Sequence, residues 1–133
     1  MAKHHGSCLC GAVTFEVDGD FDRFYLCHCH HCQKDTGTGH GANLFSQSAK
    51  LTWLSGEDLV TSFTLVGTRH NKSFCKTCGS ALPSTEIAGL LMVPVGALDS
   101  AISIKPTAHL FLSSQANWES ALGHLPSFDG LPE

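Results

Sequence analysis

Seven cysteines in three tight groups constrain this chain more than any other feature. Cys8 and Cys10 form C-x-C, Cys27, Cys29 and Cys32 form C-x-C-x-x-C, and Cys75 and Cys78 form C-x-x-C. An odd count, with no apolar export segment in MAKHHGSCLCG, argues against a disulfide framework. Zinc takes four protein ligands in structural sites and three where a position stays open for water or substrate. Seven sulfurs therefore divide naturally into one closed quartet and one trio.

The remaining composition describes a small globular protein. At 133 residues the chain suits one domain, expected to occupy residues 1–133. Eight Lys and Arg against twelve Asp and Glu leave a net charge of −4, which disfavours nucleic acid as a partner. No apolar run approaches the ~20 residues of a membrane span. The expectation is a cytoplasmic protein without membrane or nucleic-acid contacts.

Strand signals dominate. Residues 12–17 (AVTFEV) alternate apolar and polar as a half-buried strand does. Residues 24–27 lead as a short strand into the second cysteine group. Residues 51–54 and 59–66 read as strands around a Ser55–Gly56 turn. Residues 90–95 form an apolar run, and Pro94 within it predicts a sheet edge or a bend. Residues 108–112 (AHLFL) read as a further strand. Short helical turns are expected at 30–34, 97–100 and 118–122. The class is all-β, with many short antiparallel strands and metal-bearing turns.

The C-x-x-C of Cys75 and Cys78 reverses the chain and presents two sulfurs, with Gly79 able to take positive φ after the turn. Cys8 and Cys10, read as the start of a strand, would present theirs on one face. Together these four make a closed structural zinc site. Cys27, Cys29 and Cys32 are left as a three-ligand site, which His28, His30, His31 or a distant side chain would close if it is not open. A zinc-ribbon pairing of Cys29/Cys32 with Cys75/Cys78 is disfavoured, because residues 33–74 are too long a spacer. Three thiolates leave zinc with a net charge of −1 and acidify bound water less than imidazoles do. A thiol suits the open position better, being soft and deprotonated by coordination. Lys34, Lys72 and Lys76 stand near the clusters, although solvated lysines are the simpler reading of each.

The loop Gly37-Thr38-Gly39-His40-Gly41 is no phosphate loop, since no Gly-Lys-Ser/Thr follows it. Its simplest reading is a flexible or closely packed turn. The functional reading lets substrate backbone approach, with His40 contacting a carboxylate or moving a proton. His109 reads as a core histidine, and Trp53 and Trp118 as packing residues.

The order Gly6-Ser7-Cys8-Leu9-Cys10-Gly11-Ala12-Val13, then Cys27-His28-Cys29-His30-His31-Cys32-Gln33-Lys34 with Thr36-Gly37, then Phe74-Cys75-Lys76-Thr77-Cys78-Gly79-Ser80, resembles the glutathione-dependent formaldehyde-activating enzymes and the related centromere protein V. His109-Leu110-Phe111 and Trp118 continue the likeness, which covers about residues 5–128 and implies a domain core with those bounds. It implies a small Mss4-like (β-tent) fold of stacked antiparallel sheets and two Zn²⁺ per chain. Cys8, Cys10, Cys75 and Cys78 would hold a structural zinc, and Cys27, Cys29 and Cys32 a catalytic-type one. The implied activity is that of a carbon–sulfur lyase, joining glutathione to formaldehyde as S-hydroxymethylglutathione. Catalysis would rest on Cys27, Cys29, Cys32 and His40. Two other functions compete. A non-enzymatic, zinc-stabilised interaction module of the Mss4 type has no need of the surplus trio. A redox enzyme using Cys29/Cys32 lacks a surrounding βαβ pattern and leaves Cys27 over.

Overall fold

The computed structural model describes residues 2–87 and 89–132. Alternation sets its first sheet. In β2 (Thr14–Asp18), Phe15 and Val17 are fully buried while Thr14 and Glu16 face outward. β1 (Lys3–Ser7) and β5 (Lys50–Ser55) flank β2, both antiparallel. β5 is largely exposed on its outer face, as an antiparallel sheet permits.

The second sheet carries the chemistry. Its order is β11 (Ala108–Leu110), β3 (Arg23–Cys27), β4 (Gly41–Ser46), β10 (Leu90–Pro94), β9 (Ser84–Ile87). β3 runs antiparallel to β4 with Cys27 opposite Gly41, and parallel to β11 with Cys27 opposite Leu110. The third sheet is β6 (Val60–Thr64), β7 (Asn71–Cys75) and β8 (Ala81–Leu82). A core of Val13, Phe15, Val17, Phe24, Leu44, Leu82, Leu91 and Val93 fills the space between the sheets, and Cys8 and Cys75 are buried in it. Trp53 packs edge-on against Phe15, as a packing residue should.

One helix of more than a turn is present among the described residues, α1 (His30–Thr36). Its start is capped by the Cys29 sulfur, which accepts from the Cys32 N–H, and Gly37 ends it in the left-handed conformation at φ 71°. Shorter 3-10 turns occupy Val95–Ala97 and Glu119–His124, close to the expected positions. Among the described residues no helix is long and apolar enough to cross a membrane.

Several local expectations are corrected. Of the two readings of Pro94, the sheet edge is overturned, because β4 and β9 pair with β10 on both sides, and the bend is found, because the strand ends at Pro94 and a 3-10 turn follows over Val95–Ala97. Pro94 is tolerated because the β9 pairing ends at Met92, so its missing N–H interrupts no ladder on that side. Cys8 and Cys10 do not open a strand. They lie in a turn after β1, closed by the Gly11 N–H on the Cys8 carbonyl, with Gly11 at φ 81°.

Candidate active site

Among the described residues, three side-chain clusters converge tightly enough to be tested as metal sites. The first joins Cys8 and Cys10, in the turn after β1, to Cys75 and Cys78, at the end of β7 and in the turn beyond. The Cys8 and Cys10 sulfurs are 3.6 Å apart, and those of Cys10 and Cys75 are 4.0 Å apart. Sulfurs ~2.3 Å from a tetrahedral zinc sit about 3.8 Å from one another, so this donor set fits zinc. The C-x-x-C turn is closed by the Gly79 N–H on the Cys75 carbonyl at 2.7 Å, with Gly79 at φ 75° as expected. The grouping also rules out a ribbon pairing of Cys29/Cys32 with Cys75/Cys78.

Electrostatics in the quartet pull the thiols apart. The N–H groups of Cys10 and Ser80 favour the Cys78 thiolate and bring its pKa down to about 6. At Cys10 the Ala12 N–H also favours ionisation, yet the sulfurs of Cys8, Cys78 and Cys75 and some burial push it up to about 11. Four sulfurs this close ionise together only around a cation.

The second cluster is the trio. Cys27 ends β3, Cys29 caps α1 and Cys32 lies in its first turn, so six residues suffice to bring three sulfurs within 4.8 Å of one another. Cys27 and Cys29 thus present their sulfurs from a strand end and a helix cap. Burial raises the Cys27 and Cys32 thiols. Burial opposes ionisation of Cys29 too, but the Cys32 N–H and the neighbouring thiols outweigh it, and its pKa falls. Cys29 is therefore the thiol most ready to ionise in this cluster.

His28, offered by the sequence as one possible closing ligand of the trio, is engaged elsewhere. It is buried, with Nδ1 2.9 Å from Glu119 Oε2 and Nε2 2.8 Å from His109 Nδ1. Both ring nitrogens are thus occupied. His109 is not the core histidine expected. It lies exposed on the edge strand β11 and serves as the partner of His28. His40 precedes Gly41, the residue opposite Cys27, and its Nδ1 lies 2.5 Å from Glu119 Oε1.

His28, His40 and Glu119 form the third cluster. Nitrogen and oxygen ligands of a tetrahedral zinc would stand about 3.3 Å apart. Separations of 2.5 and 2.9 Å are instead those of charge-assisted hydrogen bonds. Glu119 was not anticipated from the sequence. Residues 41–118 separate it from His40 along the chain, and the only available signal was an isolated carboxylate beside Trp118 in a weakly charged segment.

A cleft of about 680 Å³ opens beside the trio, lined among others by Cys27, Cys29, Cys32, His40, Arg69 and Lys72. No residue of the quartet lines it. Lys72 reaches Asp35 of α1 at 2.7 Å, and His70 reaches the other carboxylate oxygen at 2.8 Å, so α1 is tied to β7 across this cleft. Lys72 is thus placed at the site. Lys34 lines a neighbouring cleft of about 500 Å³ that shares His31, Asp35, His70 and Lys72, and Lys76 is exposed in the quartet's turn. Trp118 is half exposed rather than packed.

The glycine-rich loop has local explanations. Gly37 ends α1, and a Cβ at Gly41 would make ordinary contact with the Cys32 sulfur at 3.6 Å. At Gly39 the space of a Cβ is filled by the Glu119 carboxylate.

The chain as a whole is similar to known proteins. The family described as glutathione-dependent formaldehyde-activating enzyme matches residues 3–114. A protein of Halomonas elongata, whose name provisionally assigns it that activity, is 32% identical over 124 residues, covering 85% of this chain and 77% of its own. A solved Rhodobacter sphaeroides structure superposes with a TM-score of 0.55 at 23% identity, over 79% of this chain and 98% of that one, which shows a shared fold.

Proposed function

Because this chain belongs to the glutathione-dependent formaldehyde-activating enzyme family, we propose that it joins a small thiol to a small aldehyde beside Cys27, Cys29 and Cys32. Glutathione and formaldehyde are the pair the family name supplies. The observation that carries this reading is the contrast in surroundings: the trio lines a cleft of about 680 Å³, and the quartet does not.

Both donor sets suit zinc, so two zinc ions per chain are proposed, held by Cys8, Cys10, Cys75 and Cys78 and by Cys27, Cys29 and Cys32. Zinc at the trio would supply a soft Lewis acid that lowers the pKa of an incoming thiol.

The chain's own residues do the rest. Arg69, exposed on the cleft wall and in no ion pair among the described residues, attracts a carboxylate of the thiol compound, whereas the Lys72 charge is held by Asp35 at 2.7 Å. His40 takes the thiol proton and returns it to the former carbonyl oxygen. One S–C bond forms as the C=O π bond breaks, and no oxidant or reductant is consumed. The reverse reaction is a carbon–sulfur lyase step. Seven free thiols suit a reducing compartment such as the cytoplasm.

The test is exchange NMR on an equilibrium mixture of glutathione and ¹³C-formaldehyde. The zinc-loaded protein is expected to speed interconversion of free aldehyde and S-hydroxymethyl adduct, and Cys29→Ser to return it to the background rate. Equal exchange with and without protein would sink the reading.

A further inference from the structure

The Glu119 carboxylate lies against His40, a residue of the cleft wall, and the proposed reaction does not yet use it. Its side chain is only 6% exposed, and each oxygen meets one imidazole, His40 at 2.5 Å and His28 at 2.9 Å. Among the described residues no Lys or Arg pairs with it. Burial alone would raise its pKa, but the hydrogen bonds from His40 and His28 outweigh this and hold the carboxyl below the ordinary range. Glu119 is therefore an ionised acceptor placed between two ring nitrogens.

The backbone is arranged to admit it. A Cβ at Gly39 would lie 2.6 Å from the Glu119 carboxyl carbon and 2.7 and 2.9 Å from its oxygens. Only glycine leaves that room. From the other side, Gln33 Nε2 donates to the carbonyls of Ser114 and His28 at 2.9 and 2.8 Å, which ties the segment leading to Glu119 onto α1. Two independent features thus serve one placement of one carboxylate.

We propose that Glu119 is a positioning residue for His40: it fixes the imidazole with Nδ1–H donated to Oε1, leaving Nε2 as the free acceptor of a residue that lines the thiol cleft. A neutral imidazole has two tautomers, and the hydrogen bond at one nitrogen decides which form stands ready at the other. With Nδ1 committed to a carboxylate, the ring cannot flip without breaking a charge-assisted bond. The consequence for proton transfer rests on the reading of the trio as a thiol–aldehyde site. The tautomer itself does not.

The experiment uses the full-length, zinc-loaded protein labelled with ¹⁵N at histidine. Long-range ¹H–¹⁵N spectra at pH 8, above the ordinary histidine range, report the tautomer of each ring. Wild-type His40 is expected as the Nδ1–H form. Glu119→Ala should convert it to a mixture or to the Nε2–H form. Adduct exchange should lose at least tenfold in kcat, with KM for glutathione changed less than threefold and both zinc ions retained.

Gly39→Ala should move the tautomer and kcat in the same direction without altering any polar group, and it carries the test if Glu119→Ala does not fold. An Nε2–H tautomer in the wild type, or an unchanged His40 in both variants, would overturn the assignment. So would a third equivalent of metal that Glu119→Ala removes. A locked Nδ1–H tautomer in a protein without thiol–aldehyde activity would uphold the positioning of His40 and remove the proposed function.

Discussion

The sulfur quartet and the sulfur trio use the same ligand in opposite settings. The quartet gathers sulfurs from two turns more than sixty residues apart in the chain, and Cys8 and Cys75 are buried in the core beside Val13 and Leu82. The trio comes from six consecutive residues where one strand gives way to one helix, and it borders a cleft. A cation in the quartet would close a long loop and stabilise the whole fold. A cation in the trio would close almost none, so its retention there needs another reason. The surroundings supply one: His40, Arg69 and Lys72 share the cleft with the trio.

The strongest way to break this comparison is to remove a quartet ligand. Structural zinc contributes on the order of 10 kcal/mol to folding in small domains. Cys75→Ser or Cys8→Ser is expected to yield insoluble or unfolded chain by circular dichroism. A cooperative melt near the wild-type temperature would show that the quartet does not hold the fold.

Next in size is the trio. Cys29→Ser should lose one of two zinc ions by elemental analysis and return adduct exchange to background, while the circular dichroism spectrum stays that of the wild type. Global unfolding of this variant would erase the distinction between the clusters.

A smaller effect separates the trio's surroundings from both clusters. Glu119→Gln removes a buried charge that accepts two hydrogen bonds, which should cost about 2 kcal/mol at neutral pH. The folded carboxyl has a lowered pKa, so its stabilisation is present above the unfolded value and is lost as pH falls through the folded one. Urea melts of wild type and variant should therefore differ at pH 7 and converge below about pH 4. A difference that persists or grows in acid would contradict the sign.

The smallest expected effects are matched. Gly79 in the quartet's turn and Gly37 at the end of α1 have φ of 75° and 71°, and at neither does any neighbouring atom come within 4 Å of where a Cβ would stand. Alanine at either site should cost about 1 kcal/mol in backbone strain alone. Only Gly79→Ala should also lower zinc affinity at the quartet, measured by chelator competition. Equal zinc loss in both would mean that the α1 end, too, bears on the quartet.

Much of the site was legible because its determinants are local. Three sulfurs in C-x-C-x-x-C must converge within six residues, and a turn following Cys29 agreed with α1. The alternation of residues 12–17 forecast the buried pair Phe15 and Val17. Pro94 marked the bend that ends β10 but not the strand's place inside the sheet, since a proline's tolerance depends on where the neighbouring strand stops, and that is not written near it. The turn at Cys8–Gly11 was mistaken for a strand start because C-x-C presents two sulfurs equally well from either geometry.

The chain's own spacing settled which side chains can bind a metal, because ligand chemistry and short-range geometry both act within a few residues. Tertiary structure brought Cys8 and Cys10 to Cys75 and Cys78, as the division of seven sulfurs had suggested, and it alone decided that the trio faces a cleft and that Glu119 stands between His28 and His40. Those are contacts between segments whose separation in sequence carries no periodicity. They arise from sheet pairing, which sets Cys27 against Gly41 and Leu110, and from a gap at Gly39 just wide enough for a carboxylate.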